Sequence, residues 1–227
     1  MHLLRANALM IIFLIIGVGM HVVAKQHNIS FVNQQTELVI SGPAPQWVQS
    51  LFAGPCIGLA ADINVLSVFS SYYELTKKSL LDEDQIIARQ YVYEYLHHAQ
   101  YFDPWFWDIY RLTVGLIAYQ KEYAPKALVL LQKGTEIRTW DWETPFLTGF
   151  VAYDLLKDHQ LASKMMAVAA LRPNAPPMAV GLAARFMNQD GKQEESIRFL
   201  EAMKNMLPPD FHGYIDQRIK ELHQKGE

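Results

Sequence analysis

The chain has 227 residues, 51% hydrophobic and 12% aromatic, which excludes a largely disordered protein and allows one domain with a sizeable core plus an appendage. Its net charge of -3 and pI near 6.2 offer no basic field to nucleic acid, so no nucleic-acid partner is expected. One cysteine, Cys56, excludes an internal disulfide and a cysteine-based zinc site, and it reads as a small buried apolar residue rather than a reactive thiol. Charge is spread unevenly. Residues 1–60 carry only Arg5, Lys25 and Glu37, which separates a membrane-proximal part from a soluble one.

Residues 6–24 form an uncharged run of 19 residues, with Asn7 and His21 as its strongly polar members. As a helix this run rises about 28 Å, enough to span a hydrocarbon core of about 30 Å. Arg5 precedes it and Lys25 follows. The weak positive-inside bias favours a cytoplasmic N-terminus and a body in the periplasm or another exoplasmic space, as in a bacterial inner-membrane protein. A cleaved signal with Val22 and Ala24 before the cleavage site is the rival reading, and the retained anchor is preferred.

Residues 25–61 read as a connector. Gly42, Pro43 and Pro45 break it, and the run TELVIS (36–41) has strand-like composition. The triplet Asn28-Ile29-Ser30 is a chance match to a glycosylation acceptor. Residues 47–61 are apolar, but Gly54-Pro55 interrupts them, so two short helices packed on the first repeat are expected rather than a second span. Trp47 and Phe52 also suit a segment lying on a bilayer.

The body, residues 62–227, is expected to be helix, short turn, helix, four times over, with a closing helix. Its signature is three columns repeating every 34 or 35 positions. Val92, Ala127, Ala162 and Ser196 form the first, Leu96, Leu131, Met166 and Leu200 the second, and Ala99, Gly134, Ala169 and Met203 the third. Small residues let neighbouring helices approach, and the bulky residue a turn later fills the adjacent hole. Asp82, with Gln85 three residues on, predicts a capping box, and Ile87, Tyr91, Tyr95 and Ala99 a buried stripe. Asp158 is expected to cap a helix whose buried side carries Leu161, Met165, Val168 and Ala169. Gly191 breaks the chain before the helix of Ile197, Leu200 and Met203, and Pro104, Pro173 and Pro208 stand just beyond helices. Thr139 takes the intervening slot.

These residues resemble the tetratricopeptide repeat family, above all in KDHQLASKMMAVAALRP and DGKQEESIRFLEAMKNMLP. The resemblance covers roughly residues 63–208, about two thirds of the chain. It implies an all-α solenoid of three to four hairpins, and the segment GYIDQRIKELHQ reads as a capping helix. The family's first-helix pattern is blurred: Gly149-Phe150 with Tyr153 fits, Thr113-Val114 with Ile117 fits poorly, and Ala183-Ala184 with Met187 only through small size. The resemblance implies a protein-binding scaffold or adaptor, here held by a membrane helix and assisting assembly of a membrane or envelope complex. A permanent structural subunit, using Gly17 and Gly19 as helix contacts, is the alternative. An enzyme or small-ligand receptor ranks third.

Glu94 and His97 have the Glu-x-x-His spacing of metal-binding bundles, but no second copy exists, so neither metal nor other cofactor is expected. Phosphate-cradling loops and nucleophile elbows are absent from the sequence, and no enzymatic activity is expected. The aromatic clusters 104–110 and 139–142 read as inter-repeat packing, with one tryptophan available as an exposed anchor. The first helix of each hairpin would line a concave groove, which nominates Asp108, Arg111, Tyr119, Asp154, Arg185, Asn188 and Gln189 as partner-binding residues.

Overall fold

A computed structural model describes residues 42–76 and 82–224. The apolar run 6–24, the TELVIS segment and the Asn28-Ile29-Ser30 triplet lie outside them. Residues Ile40–Glu227 form one compact unit.

The described residues are helical and contain no strand. Helix α1 covers Gln46–Ala53, α2 Ile57–Leu75 and α3 Asp82–Phe102. Helix α4, Asp108–Leu112, runs on through wider π-helical turns at Thr113–Ala118. Then come α5 (Ala124–Ile137), α6 (Glu143–Asp154), α7 (His159–Ala170), α8 (Pro177–Gln189) and α9 (Gln193–Met206). A 3-10 turn, Pro209–Phe211, leads into α10, His212–Gln224.

Helices pair in sequence order: α2 with α3, α4 and its π extension with α5, α6 with α7, α8 with α9. Pairs then stack on the next through α3 on the π segment, α5 on α6 and α7 on α8, while α10 closes the array against α9 and α8. This is the helical-hairpin repeat that the 34- and 35-residue columns predict. All twelve column residues are buried. The small ones are small of necessity. A Cβ added to Gly134 would run into the Tyr110 ring, and a Cβ on Gly149, a residue outside the columns that faces Ala162, would lie 3.2 Å from the Ala162 carbonyl oxygen.

Local signals locate several ends correctly. Asp158 accepts a 2.9 Å hydrogen bond from the Leu161 amide and caps α7. Gly191 takes φ 78° in the turn between α8 and α9, a backbone state that other residues resist. Pro104, Pro173 and Pro208 each follow a helix end by two or three residues.

Other expectations fail for identifiable reasons. Asp82 begins α3 as a helical residue, not as a residue ahead of it. The buried stripe of α3 is Ala88, Val92, Leu96 and Ala99; Ile87 is exposed, and Tyr91 and Tyr95 are half-buried. Close helix approach selects the compact side chains and pushes the large rings to the margin. In α7 the same choice buries Ala162, Ser163, Met166 and Ala169 and leaves Leu161, Met165 and Val168 half-buried. Cys56 is exposed, because it sits in the turn that follows Gly54-Pro55.

A ladder of arginines ties successive hairpins together. Arg172 donates to the carbonyl oxygens of Thr135 at 2.6 Å, Arg138 at 2.8 Å and Asp141 at 2.7 Å. These carbonyls stand at and beyond the end of α5, where a helix leaves acceptors without internal partners. One repeat earlier, Arg138 donates to the Trp105 carbonyl oxygen and pairs with Asp141 at 3.1 Å. Burial works to raise the Asp141 pKa, but bonds from the Thr144 hydroxyl, the Glu143 amide and Arg138 hold it below the usual carboxylate value.

Candidate partner-binding surface

The seven nominated residues divide into two groups. Arg185, Asn188 and Gln189 lie on the last turns of α8 and line one cleft of about 360 Å³. Its opposite wall is Tyr214, Arg218 and Glu221 on α10, and its floor includes Leu182, Ala184 and Leu200. Asp108, Arg111, Tyr119 and Asp154 do not line it.

Gly181 leaves room for the Tyr214 side chain at the cleft. A Cβ there would strike the Tyr214 hydroxyl, the far end of a flexible side chain, and push it aside. Arg218 donates to Glu221 at 2.8 Å and to the Tyr214 hydroxyl at 3.4 Å, which aligns three polar groups on the α10 wall. Bonding to Tyr214 and Glu221 raises the Arg218 pKa. Arg185 contributes a second guanidinium from the facing helix. Two cations, two side-chain amides and one carboxylate thus stand over an apolar floor, with one cation, Arg218, already paired to the carboxylate.

The remaining nominees lie elsewhere on the stack. Arg111 lies 3.1 Å over the Trp107 ring and bonds Glu143 Oε1 at 3.0 Å, which joins α4 to the first turn of α6. Its side chain is engaged within the stack. Asp108 and Tyr119 are exposed, and Asp154 is half-buried at the end of α6. Tyr214, Arg218 and Glu221 were not nominated, because the closing helix reads from its sequence as a cap on the array. Their spacing, three to four residues on one helix face, was the available signal.

Of the aromatic clusters, Trp105 and Trp140 are exposed, while Trp107 and Trp142 are half-buried. His97 is exposed and His98 half-buried. Burial lowers both histidine pKa values, aided by Lys133 at His97 and by His97 at His98. Glu94 accepts from the Gln90 amide at 2.8 Å. Among the described residues no three His, Cys, Asp or Glu side chains gather where a metal could bind, and no helix is long and apolar enough to cross a membrane.

No protein-family model matches the chain, and no curated protein was found similar to it. Among solved structures it is similar to the Yersinia enterocolitica type III secretion chaperone SycD, solved with a peptide of the translocator YopD. The identity is 18%, over 52% of this chain and 92% of that one, with a TM-score of 0.39. At that score the likeness adds nothing to what the stacked hairpins and buried columns themselves establish: an all-helical body of tetratricopeptide-like repeats.

Proposed function

We propose that this protein is a membrane-anchored, protein-binding scaffold, without enzymatic activity or cofactor, which assists assembly of a membrane or envelope complex. Residues 6–24 are the anchor, and the repeat body stands on the exoplasmic, periplasmic side. The observation that carries the binding role is the meeting of Arg185, Asn188 and Gln189 with Tyr214, Arg218 and Glu221 in one open cleft. An anchored receptor also gains from proximity, since tethering raises its effective concentration near membrane partners.

A photo-crosslinking residue at Asn188 of the full chain, in its native membrane, tests this reading. A discrete protein adduct is expected, and Arg185→Glu should abolish it. The same probe at the exposed Lys164 of α7 serves as control, and equal adducts at both positions overturn the cleft. A reporter fused to the C-terminus should show exported topology; a cytoplasmic signal overturns the placement.

A further inference from the structure

The first two helices leave an apolar face uncovered. Helix α1 half-buries Gln46, Val48, Gln49, Ser50 and Ala53 and leaves Trp47, Leu51 and Phe52 exposed. Gln49 is fully engaged on the inner side. The Gln49 amide nitrogen donates to the Ala44 carbonyl oxygen at 2.7 Å and meets His98 Nδ1 at 3.0 Å, while its oxygen accepts from Asn64 at 2.5 Å. Helix α2 extends the exposed apolar face. It buries Ala60, Ala61, Asn64, Val65, Val68 and Ser71, and turns Leu59, Ile63, Leu66, Phe69 and Tyr73 outward.

A helix at a water-facing surface shows the reverse arrangement. Small residues inside with large apolar ones outside are how helices pack when lipid is the surrounding solvent. Half of all the exposed large apolar side chains among the described residues fall between Trp47 and Tyr73. Asp62 is the one charged residue from Leu38 to Tyr73.

We infer that α1 and α2 lie in the surface of a lipid bilayer, apolar face down, so that the body rests on the membrane instead of hanging from a free tether. This rests on the anchored reading above. Three observations favour lipid over a second copy of the chain or another protein. The layer is the part of the body nearest in sequence to the apolar run 6–24, and only 21 residues separate Ala24 from Gln46. Its exposed rings, Trp47, Tyr72 and Tyr73 among them, are of the kind that settle at headgroup level. Charge on these two helices is also sparse: Asp62 and Glu74 are their charged residues, and a carboxylate is tolerated at headgroup depth but not at the bilayer centre. Lys77 and Lys78 follow three and four residues after Glu74 in the sequence.

The native cysteine makes the test direct. The full chain is reconstituted in vesicles of phosphatidylcholine and phosphatidylglycerol, with an environment-sensitive fluorophore on the exposed Cys56. Two variants carry Cys56→Ser with either Phe69→Cys or Glu201→Cys; Glu201 is an exposed residue of α9. Lipids bearing a doxyl quencher should dim the labels at 56 and 69 several times more than the label at 201, and high salt should not reverse the effect. Aqueous iodide should quench in the opposite order. Iodide quenching at 56 and 69 equal to that at 201 overturns the inference. So does a blue-shifted label that doxyl lipids fail to quench, since a protein then covers the face. Alkaline carbonate extraction separates the two claims. A chain that resists extraction with its 56 label in water loses the resting layer and keeps the anchor. A chain that is extracted, yet was quenched by lipid beforehand, keeps the layer and loses the anchor.

Discussion

The two ends of the stack solve the same problem in opposite ways. A repeat array always leaves its terminal hairpins with one unshielded face, which in water requires a polar outer side. At the C-terminal end α10 does this. Ile215 and Leu222 point into the core, while Asp216, Gln217, Arg218 and Lys220 face out. At the N-terminal end α1 and α2 put Phe52, Leu66 and Phe69 outside, over a buried side of alanine, valine, asparagine and serine. The core between them is ordinary. The difference therefore lies in what each end faces: the closing hairpin has a wet surface and a polar cleft, and the opening layer is built for an apolar neighbour.

The strongest way to break this contrast is to attack the common core. Ala162→Trp should overpack the junction of α6 and α7 and cost about 3 kcal/mol in chemical denaturation. An unchanged midpoint would show that the buried columns are misassigned. Arg172→Met should cost about 2 kcal/mol, because three carbonyl oxygens lose a charged donor. Arg172→Lys should recover only part of that, since an ammonium lacks the planar fork that reaches two directions at once. Full recovery would mean that charge alone matters.

A third variant separates structure from binding at the polar end. Gly181→Ala pushes on the far end of the Tyr214 side chain, which can swing into the cleft. Stability should fall by less than about 1 kcal/mol, while the crosslink at position 188 is lost. A collapse of the melting temperature with the crosslink retained would reverse that assignment.

At the other end, pH is the sharper probe. His97 and His98 have lowered pKa values in the folded chain, so the unfolded chain takes up protons first as pH falls. Stability is then unaffected above the unfolded value of 6.5 and declines below it, until the folded histidines also protonate. Protonation of His98 at Nδ1 also opposes the contact from Gln49 that holds α1. Thermal midpoints from pH 7.5 to 5 should fall modestly, and His97→Gln with His98→Gln should flatten the fall. The smallest expected effect belongs to Leu66→Lys with Phe69→Lys. In detergent-free buffer the body should keep its midpoint to within about 0.5 kcal/mol, since both residues are exposed. A large loss would show that these side chains support the core.

Much of the repeat body was legible because its signal is redundant. Each column recurs four times, and every member proved buried. The Asp158 cap, the Gly191 turn and the boundary prolines are local signals, and local chemistry sufficed for them. The stripes of α3 and α7 were placed one residue off because hydrophobicity alone ranks tyrosine, isoleucine and leucine above alanine. Packing ranks by volume, and Ala88 and Ala162 won. Cys56 was read by residue type, and its place in a turn decided otherwise.

For the cleft, the sequence nominated three lining residues and not its other wall. Arg185, Asn188 and Gln189 share a helix, so their proximity is a matter of helical pitch. Tyr214, Arg218 and Glu221 join them through the packing of α10 at the end of the array, with the Tyr214 hydroxyl over Gly181.

Sequence by itself determined the repeat length, the buried columns, most turn positions and the charge-poor N-terminal region, since each follows from residue type and spacing along one chain. Tertiary structure alone decided which side of α1 and α2 faces inward, where the arginines reach, and how two helices frame a cleft. These depend on which surfaces meet, and an apolar helix with little amphipathic bias, such as α2, carries no instruction about that until its neighbours occupy one side.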